Sequence, residues 1–315
     1  MITEAERTAT DRKRRIEKYF IPTPDSSLKN RAILNMAGAG VLLVIALILF
    51  GSVVIVGIIF LVGTVYFGVK GASKYRDYQE LYRKANPKPS GRELDAYLAK
   101  DLANIEARAM EELGLTADDL ETDSQDWDPV MALSGGQMQS QATKRPIVVY
   151  GPQPLSGFAV GDDNIWRFRT YEVMVICPTY HHLALFRTEV SMVTGGLFHQ
   201  ETQEYQYAHV VSVSTVTLPP SNLSLKEAGK GKSRTAGKEK DDGDVVRFAR
   251  TVLKQFELGV SSGRSSTVTV GISDANNPED EARLPDSGIQ QIIRSVRRVL
   301  RDKKDGFPQR GRYPA

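Results

Sequence analysis

One cysteine, Cys177, stands in 315 residues. That excludes an internal disulfide framework and fits a reducing compartment. No phosphate-cradling glycine loop running into Lys-Ser/Thr occurs. Gly259–Gly263 has the letters of a nucleophile elbow, but it lies between two strand patterns and reads as a hairpin turn. Charge of one sign is scarce as well. Lys and Arg number 41 against 38 Asp and Glu, a net of +3, too small an excess to hold nucleic acid. Mean hydropathy is negative and 25% of residues are charged, which excludes a polytopic transporter and leaves most of the chain to water. The most informative absence is local. From Ala32 to Val69, 38 residues pass without an Asp, Glu, Lys, Arg or His.

A single helix over that run would reach roughly 57 Å at about 1.5 Å per residue. A bilayer's hydrocarbon core is about 30 Å thick, and ordinary tilt does not absorb the excess. Two short spans fit better, about 33–50 and 53–69, reversing at Gly51 and Ser52. Arg12, Lys13, Arg14, Arg15, Lys18, Lys29 and Arg31 precede the run, and Lys70, Lys74, Arg76, Arg83, Lys84 and Lys88 follow it. Basic residues collect on the cytoplasmic side of short flanks, so two basic flanks suit a hairpin with both ends inside. A tilted single pass with one end buried in partner protein is the other reading. The late start and the lack of a small-residue cleavage site speak against a signal peptide. Thr64, Gly68 and Ala72 fall four apart, a spacing that lets helices pack closely, although glycine is common in membrane helices anyway. Nothing in the run is ionisable, so it offers no ion pathway.

The remaining chain divides by composition. Residues 1–31 form a basic arm, either an interfacial helix on anionic lipid or a partly disordered segment. After the hairpin at 32–70, residues 71–114 are juxtamembrane helices. The second of these opens at Ser90 with Glu93 at capping-box spacing, carries Leu94, Leu98, Leu102, Ile105 and Ala109 on one stripe, and stops at Gly114. That stripe must dock on the soluble domain or on a second copy. Residues 115–145 read as an acidic and then polar linker, whose carboxylates lack the ordered spacing of a calcium loop. From Pro146, strand formers recur at 147–150, 165–176, 182–193, 205–218, 245–260 and 266–272. Turns fall at Pro178-Thr179 and Gly195-Gly196. A flexible basic loop at 219–243 interrupts the strands, and an amphipathic helix capped at Ser287 and Gln290 closes the domain at 305. A flexible tail, 306–315, follows.

Antiparallel strands followed by one C-terminal helix resemble the pleckstrin-homology-like domains of bacterial membrane-anchored proteins. The stretch Tyr171–Val216 carries the resemblance: strand, Pro178-Thr179 turn, strand, Thr194-Gly195-Gly196 turn, then Tyr207-Ala-His-Val-Val-Ser. The long loop at 219–243 departs from it. The resemblance implies an α+β membrane protein, a transmembrane helical hairpin plus a soluble antiparallel β-barrel over 146–305. It also implies binding of lipid head groups, peptides or proteins rather than catalysis.

The candidate sites follow from these elements. Lys226, Lys230, Lys232, Arg234, Lys238 and Lys240 give the late loop a surface for anionic lipid, each cation contributing on the order of 1 kcal/mol beside a charged leaflet. Its plainer reading is a solvated loop, softened by Glu227 and Glu239. His181, His182, His199 and His209 are not arranged for a metal, since neighbours in a strand point to opposite faces. Cys177 reads as a small buried thiol. The expectation is a non-enzymatic scaffold or adaptor at the cytoplasmic face of the plasma membrane, with no cofactor, no metal, no nucleic acid and no small-molecule substrate. Its partners would be the lipid bilayer and a protein partner or a second copy of the chain. A membrane-assembling or pore-forming effector, oligomerising through the hairpin, is the alternative.

Overall fold

The computed structural model describes residues 4–50, 54–121, 133, 144–227 and 245–305 as a mixed α+β fold with antiparallel sheets. Two compact units result. The larger takes in Met1–Phe20, Pro89–Glu227 and Val246–Ala315, and the smaller Ile21–Lys88 and Ala228–Val245.

The larger unit is built around a four-stranded antiparallel sheet in the order β1 (Ile147–Pro152), β4 (Thr170–Pro178), β5 (His182–Ser191), β6 (Leu197–Gln206). Side chains alternate across a strand, and here both faces are apolar. In β4, Tyr171, Val173, Val175 and Cys177 enter one core, while Met174 and Ile176 enter another. β5 divides the same way, with Ala184, Phe186 and Val190 on one side and Leu183 and Leu185 on the other. A sheet covered on both faces reads as a continuous apolar run, which is why these strands are so rich in Val, Ile and Leu.

Two helices cover the first face. The stripe of α4 (Gly91–Glu112) buries Leu94, Leu98, Leu102, Ile105 and Ala109 against it. Full burial of a Leu or Ile is worth about 1.5–3 kcal/mol each, which fixes the stripe on the core of the larger unit. The Ser90 hydroxyl caps the helix by accepting from the Glu93 N–H at 3.2 Å. Gly114, at φ +64°, ends it as its N–H donates to the Glu111 carbonyl and that of Leu115 to Met110. Beside α4, α1 (Glu4–Phe20) sends Ile16, Tyr19 and Phe20 into the same core. Of the two readings of 1–31, interfacial helix or partly disordered segment, residues 4–20 are helical, and Ile16, Tyr19 and Phe20 bury against protein.

A three-stranded sheet, β11-β10-β7, lies over the second face. It comprises β7 (Val210–Thr217), β10 (Thr251–Val260) and β11 (Ser265–Asp274). The closing helix, α5 (Ile289–Asp305), buries Ile292, Ile293, Val296 and Leu300 there. Its first turn is held by the Gly288 carbonyl, which accepts from Gln291 and Ile292, and not by Ser287. Arg297 and Lys304 of α5 donate to the carbonyls of Val213 and Val210, covering backbone acceptors of β7 that would otherwise sit on a sheet edge.

The expected barrel does not close. β1 and β11 meet without a ladder. A Cβ on Gly151 would lie 1.6 Å from the Thr269 carbonyl oxygen, and the Thr269 N–H donates to the Glu172 carboxylate at 3.1 Å. At the other corner a one-turn 3-10 segment, Tyr207–His209, leads from β6 to β7. Two short hairpins complete the unit, β2 (Phe158–Val160) with β3 (Trp166–Phe168), and β8 (Leu225–Glu227) with β9 (Val245–Phe248). The assignment of 219–243 to loop is thereby corrected at its start. Ser221 bridges to Thr251, and Leu225 and Glu227 are buried. The linker's first residues are likewise ordered, since Leu120 pairs with Thr179 and is fully buried.

The smaller unit is a pair of helices, α2 (Ser26–Phe50) and α3 (Val54–Ala85). Asp25 opens α2 by accepting from the Ser27 N–H at 3.1 Å. Ala32, Ala39 and Ala46 recur every seven residues and are buried. A Cβ on Gly68 would sit 3.9 Å from Ala39 Cβ, and one on Gly71 would be 2.7 Å from Met36 Cγ and 3.2 Å from the Ala32 carbonyl. Contacts that run backwards along α2 as α3 advances define an antiparallel pair, brought close by small residues on both sides.

Candidate membrane segment and the ionic clasps

The helix pair buries little of its own apolar surface. By length and composition, Ser26–Leu49 alone among the described helices carries a full-length membrane-span window, 17% of it buried, while the apolar part of α3 stops at Val69, before Lys70. Leu34, Leu47 and Ile48 on α2 and Ile55, Ile59, Val62 and Val69 on α3 are all exposed. Lys29 and Arg31 stand at the start of α2, and Lys70, Lys74 and Arg76 follow the apolar part of α3. The three small residues singled out in sequence have separate settings. Thr64 Oγ1 donates to the Phe60 carbonyl at 3.0 Å, a bond within its own helix. Gly68 faces Ala39, and Ala72 is half-buried. The closest approach belongs to Gly71, which the four-residue spacing missed. Gly51 and Ser52, the expected reversal, lie outside the described residues.

The larger unit carries two arginine clasps, one made by fully buried Arg167 and one by partly exposed Arg12. Arg167 is fully buried although it alternates along β3 with Trp166 and Phe168. Its guanidinium donates to Asp95 at 2.9 and 2.8 Å, to Asp163 at 3.0 and 2.8 Å and to the Tyr19 hydroxyl at 3.3 Å. Burial alone would disfavour the charged form, but the two carboxylates hold the guanidinium's pKa above its ordinary value. In turn Arg167 holds the Asp163 carboxyl below the usual range. Gly91 and Gly161 make room, for a Cβ at either would come within 3 Å of this cluster. The second clasp joins Arg12 of α1 to Asp101 of α4. Arg12 Nη1 donates to Asp101 Oδ1 at 2.7 Å, Nη2 donates to Oδ2, and Nη2 also reaches the Met192 carbonyl at 2.9 Å. A third pair, Arg247 with the buried Glu227, ties β9 to β8.

The other candidates are scattered. Cys177 Sγ lies 3.9 Å from Met110 Sδ, and burial, with the Glu106 charge behind it, pushes the thiol up to about 12. That is the wrong direction for a nucleophile. His209 Nδ1 is 2.9 Å from Ser261 Oγ in the exposed β10–β11 turn, through the nitrogen that would otherwise take an orienting carboxylate. His182 bonds Thr179, and His199, at φ +52°, faces Glu189. No group of three or more His, Cys, Asp or Glu able to hold a metal occurs among the described residues. Of the basic loop, Lys226 falls in β8, while Lys230, Lys232, Arg234, Lys238 and Lys240 lie outside the described residues. Neither clasp was foreseen from sequence. Their members are 72 and 89 residues apart, and only Asp163, four before Arg167, gave a local signal. No family model, curated protein or solved structure matches the chain.

Proposed function

We propose that the chain is a non-enzymatic membrane-anchored adaptor. α2 and α3 cross the bilayer as a hairpin with both ends in the cytoplasm, and the larger unit, a pleckstrin-homology-like domain, binds a protein partner or lipid head groups there. The observation that carries the reading is topological. α1 precedes the apolar helices and α4 follows them, yet Arg12 of α1 grips Asp101 of α4, and Tyr19 shares Arg167 with Asp95. Segments that pack into one core stand on one side of a membrane, so the stretch between them makes an even number of crossings. A single pass would separate Phe20 from Leu94, which occupy the same core.

Exposure supports the same reading. A helix of this composition in the core of a water-soluble domain would be mostly buried, whereas α2 is mostly exposed. Seven long strands in two sheets and a closing helix are in keeping with the resemblance named above. The small residues at Gly68 and Gly71 are occupied by α2 of the same chain, which leaves assembly of several copies through that face without support.

Cysteine-accessibility mapping tests the topology. In a Cys177→Ala background, single cysteines at Thr10, Gly51 and Ala85 are challenged with an impermeant maleimide in intact cells. Labelling at position 51 alone is the expected result. Labelling at one of the other two sites together with none at 51 would refute the hairpin. Failure of the full chain, held in detergent, to retain any protein or anionic lipid would refute the adaptor role.

A further inference from the structure

The flank of α3 turned away from Gly68 and Gly71 is a shallow, open groove along one helix face, with two chemically distinct ends. Leu61, Val65 and Val69 form its apolar wall, and Tyr66, Lys70 and Lys74 stand at its polar end. From Leu61 to Val69 the wall runs about 12 Å at the α-helical rise, close to the roughly 15 Å of one leaflet's hydrocarbon. The cations follow within one to two turns. Lys70 is drawn over the Tyr66 ring, with Nζ 5.3 Å from the centroid and 3.4 Å from the hydroxyl oxygen. The aromatic ring thus holds the ammonium at the apolar boundary. Of the charges lining this groove, both are positive.

We infer that this groove is a binding site for one anionic phospholipid, its acyl chain along Leu61, Val65 and Val69 and its phosphate at Lys70 and Lys74. The inference rests on the membrane reading above and goes beyond it, since any bilayer would satisfy an anchor but only an acidic lipid satisfies this groove. Charge complementarity selects the occupant. A second copy's helix would have to offer an acid here, and no Asp or Glu occurs between Ser26 and Tyr75.

The full-length chain, extracted in detergent, is titrated with phosphatidylglycerol or with phosphatidylcholine of the same acyl chains and followed by native mass spectrometry. Wild type should take up the acidic lipid at concentrations on the order of tenfold lower, as two cations near an anionic head group imply. Lys70→Gln with Lys74→Gln should abolish the preference. Lys70→Arg with Lys74→Arg should keep it, as should Lys84→Gln, whose side chain pairs with Glu80. Equal uptake of both lipids by wild type, a preference that survives the double Gln variant, or a dimer without lipid would overturn the site. Alkaline extraction separates the two failures. Release of the chain from membranes would remove the membrane reading with the site, while retention without a lipid preference would remove the site alone.

Discussion

Arg167 and Asp163 make the same ion pair, yet removing one should cost far more than removing the other. The Arg167 side chain is 0% exposed, Asp95 is 17% and Asp163 is 40%. Arg167→Met leaves two carboxylates facing one another beside the Tyr19 hydroxyl, and the more buried one, Asp95, has little access to water. Breaking a buried ion pair by removing one partner costs about 3–5 kcal/mol. Asp163→Ala leaves Arg167 still gripped at Nε and Nη2 by Asp95 and at Nη1 by the Tyr19 hydroxyl, and a pair exposed to this extent is worth about 0–1 kcal/mol. For a unit of this size about 1 kcal/mol moves the melting temperature roughly 2–4 °C. Arg167→Met should therefore lower it by about 10 °C and Asp163→Ala by at most about 4 °C. Near-ultraviolet circular dichroism of the full chain in detergent, which reads the packed aromatic residues Phe158, Trp166 and Phe248 next to the clasp, follows both. Equal losses in the two variants, or an Arg167→Met protein as stable as wild type, would refute the ranking by burial.

Three further outcomes follow from particular contacts. Gly151→Ala should destabilise by more than about 4 kcal/mol, or abolish soluble expression, because its Cβ would overlap the Thr269 backbone oxygen and force β1 from β11; yield and urea midpoint measure it. Burial raises the Glu172 pKa above its ordinary 4.5, so the folded state binds that proton more tightly. The resulting stability is complete below about 4.5 and is lost as pH rises through the folded value. Glu172→Gln should therefore flatten the urea midpoint against pH between 4 and 7, and an unchanged slope would count against it. Cys177, with its thiol pushed up to about 12, should resist maleimide at pH 8 in the folded chain and react at once in denaturant; mass spectrometry of the adduct reads both.

How much was legible in the sequence depends on whether the determining interaction was local. The stripe of α4, its Ser90 cap and the Gly114 stop are set within a few residues, and each was readable from spacing alone. The turns at Pro178-Thr179 and Gly195-Gly196 were likewise visible, because turn residues interrupt strand formers. β6 was missed. Its residues His199–Thr202 are exposed and polar, so no alternation marks them, and only pairing with β5 makes them a strand. The burial of Arg167 was not legible for the complementary reason. Period-two alternation says which face a side chain takes, but not that Asp95, Asp163 and Tyr19 await it there. The barrel failed to close because neither β1–β11 nor β6–β7 forms a ladder, and no local signal announces that the Thr269 N–H is taken by Glu172.

The two arginine clasps also bear on the proposed topology, in a way the charge of the flanks does not. Basic residues on both sides of the apolar run are compatible with a hairpin, but they are a statistical tendency of loops. The Arg12–Asp101 clasp is instead a specific contact between α1, which precedes the apolar run, and α4, which follows it. Phe20 of α1 and Leu94 of α4 enter one core, and Arg167 joins Tyr19 to Asp95 there. The same contacts predict that residues 146–305 need both helices to fold stably. Without α1 and α4 the first face of the central sheet would present Tyr171, Val173, Val175 and Phe186 to water, and Arg167 would lose Asp95.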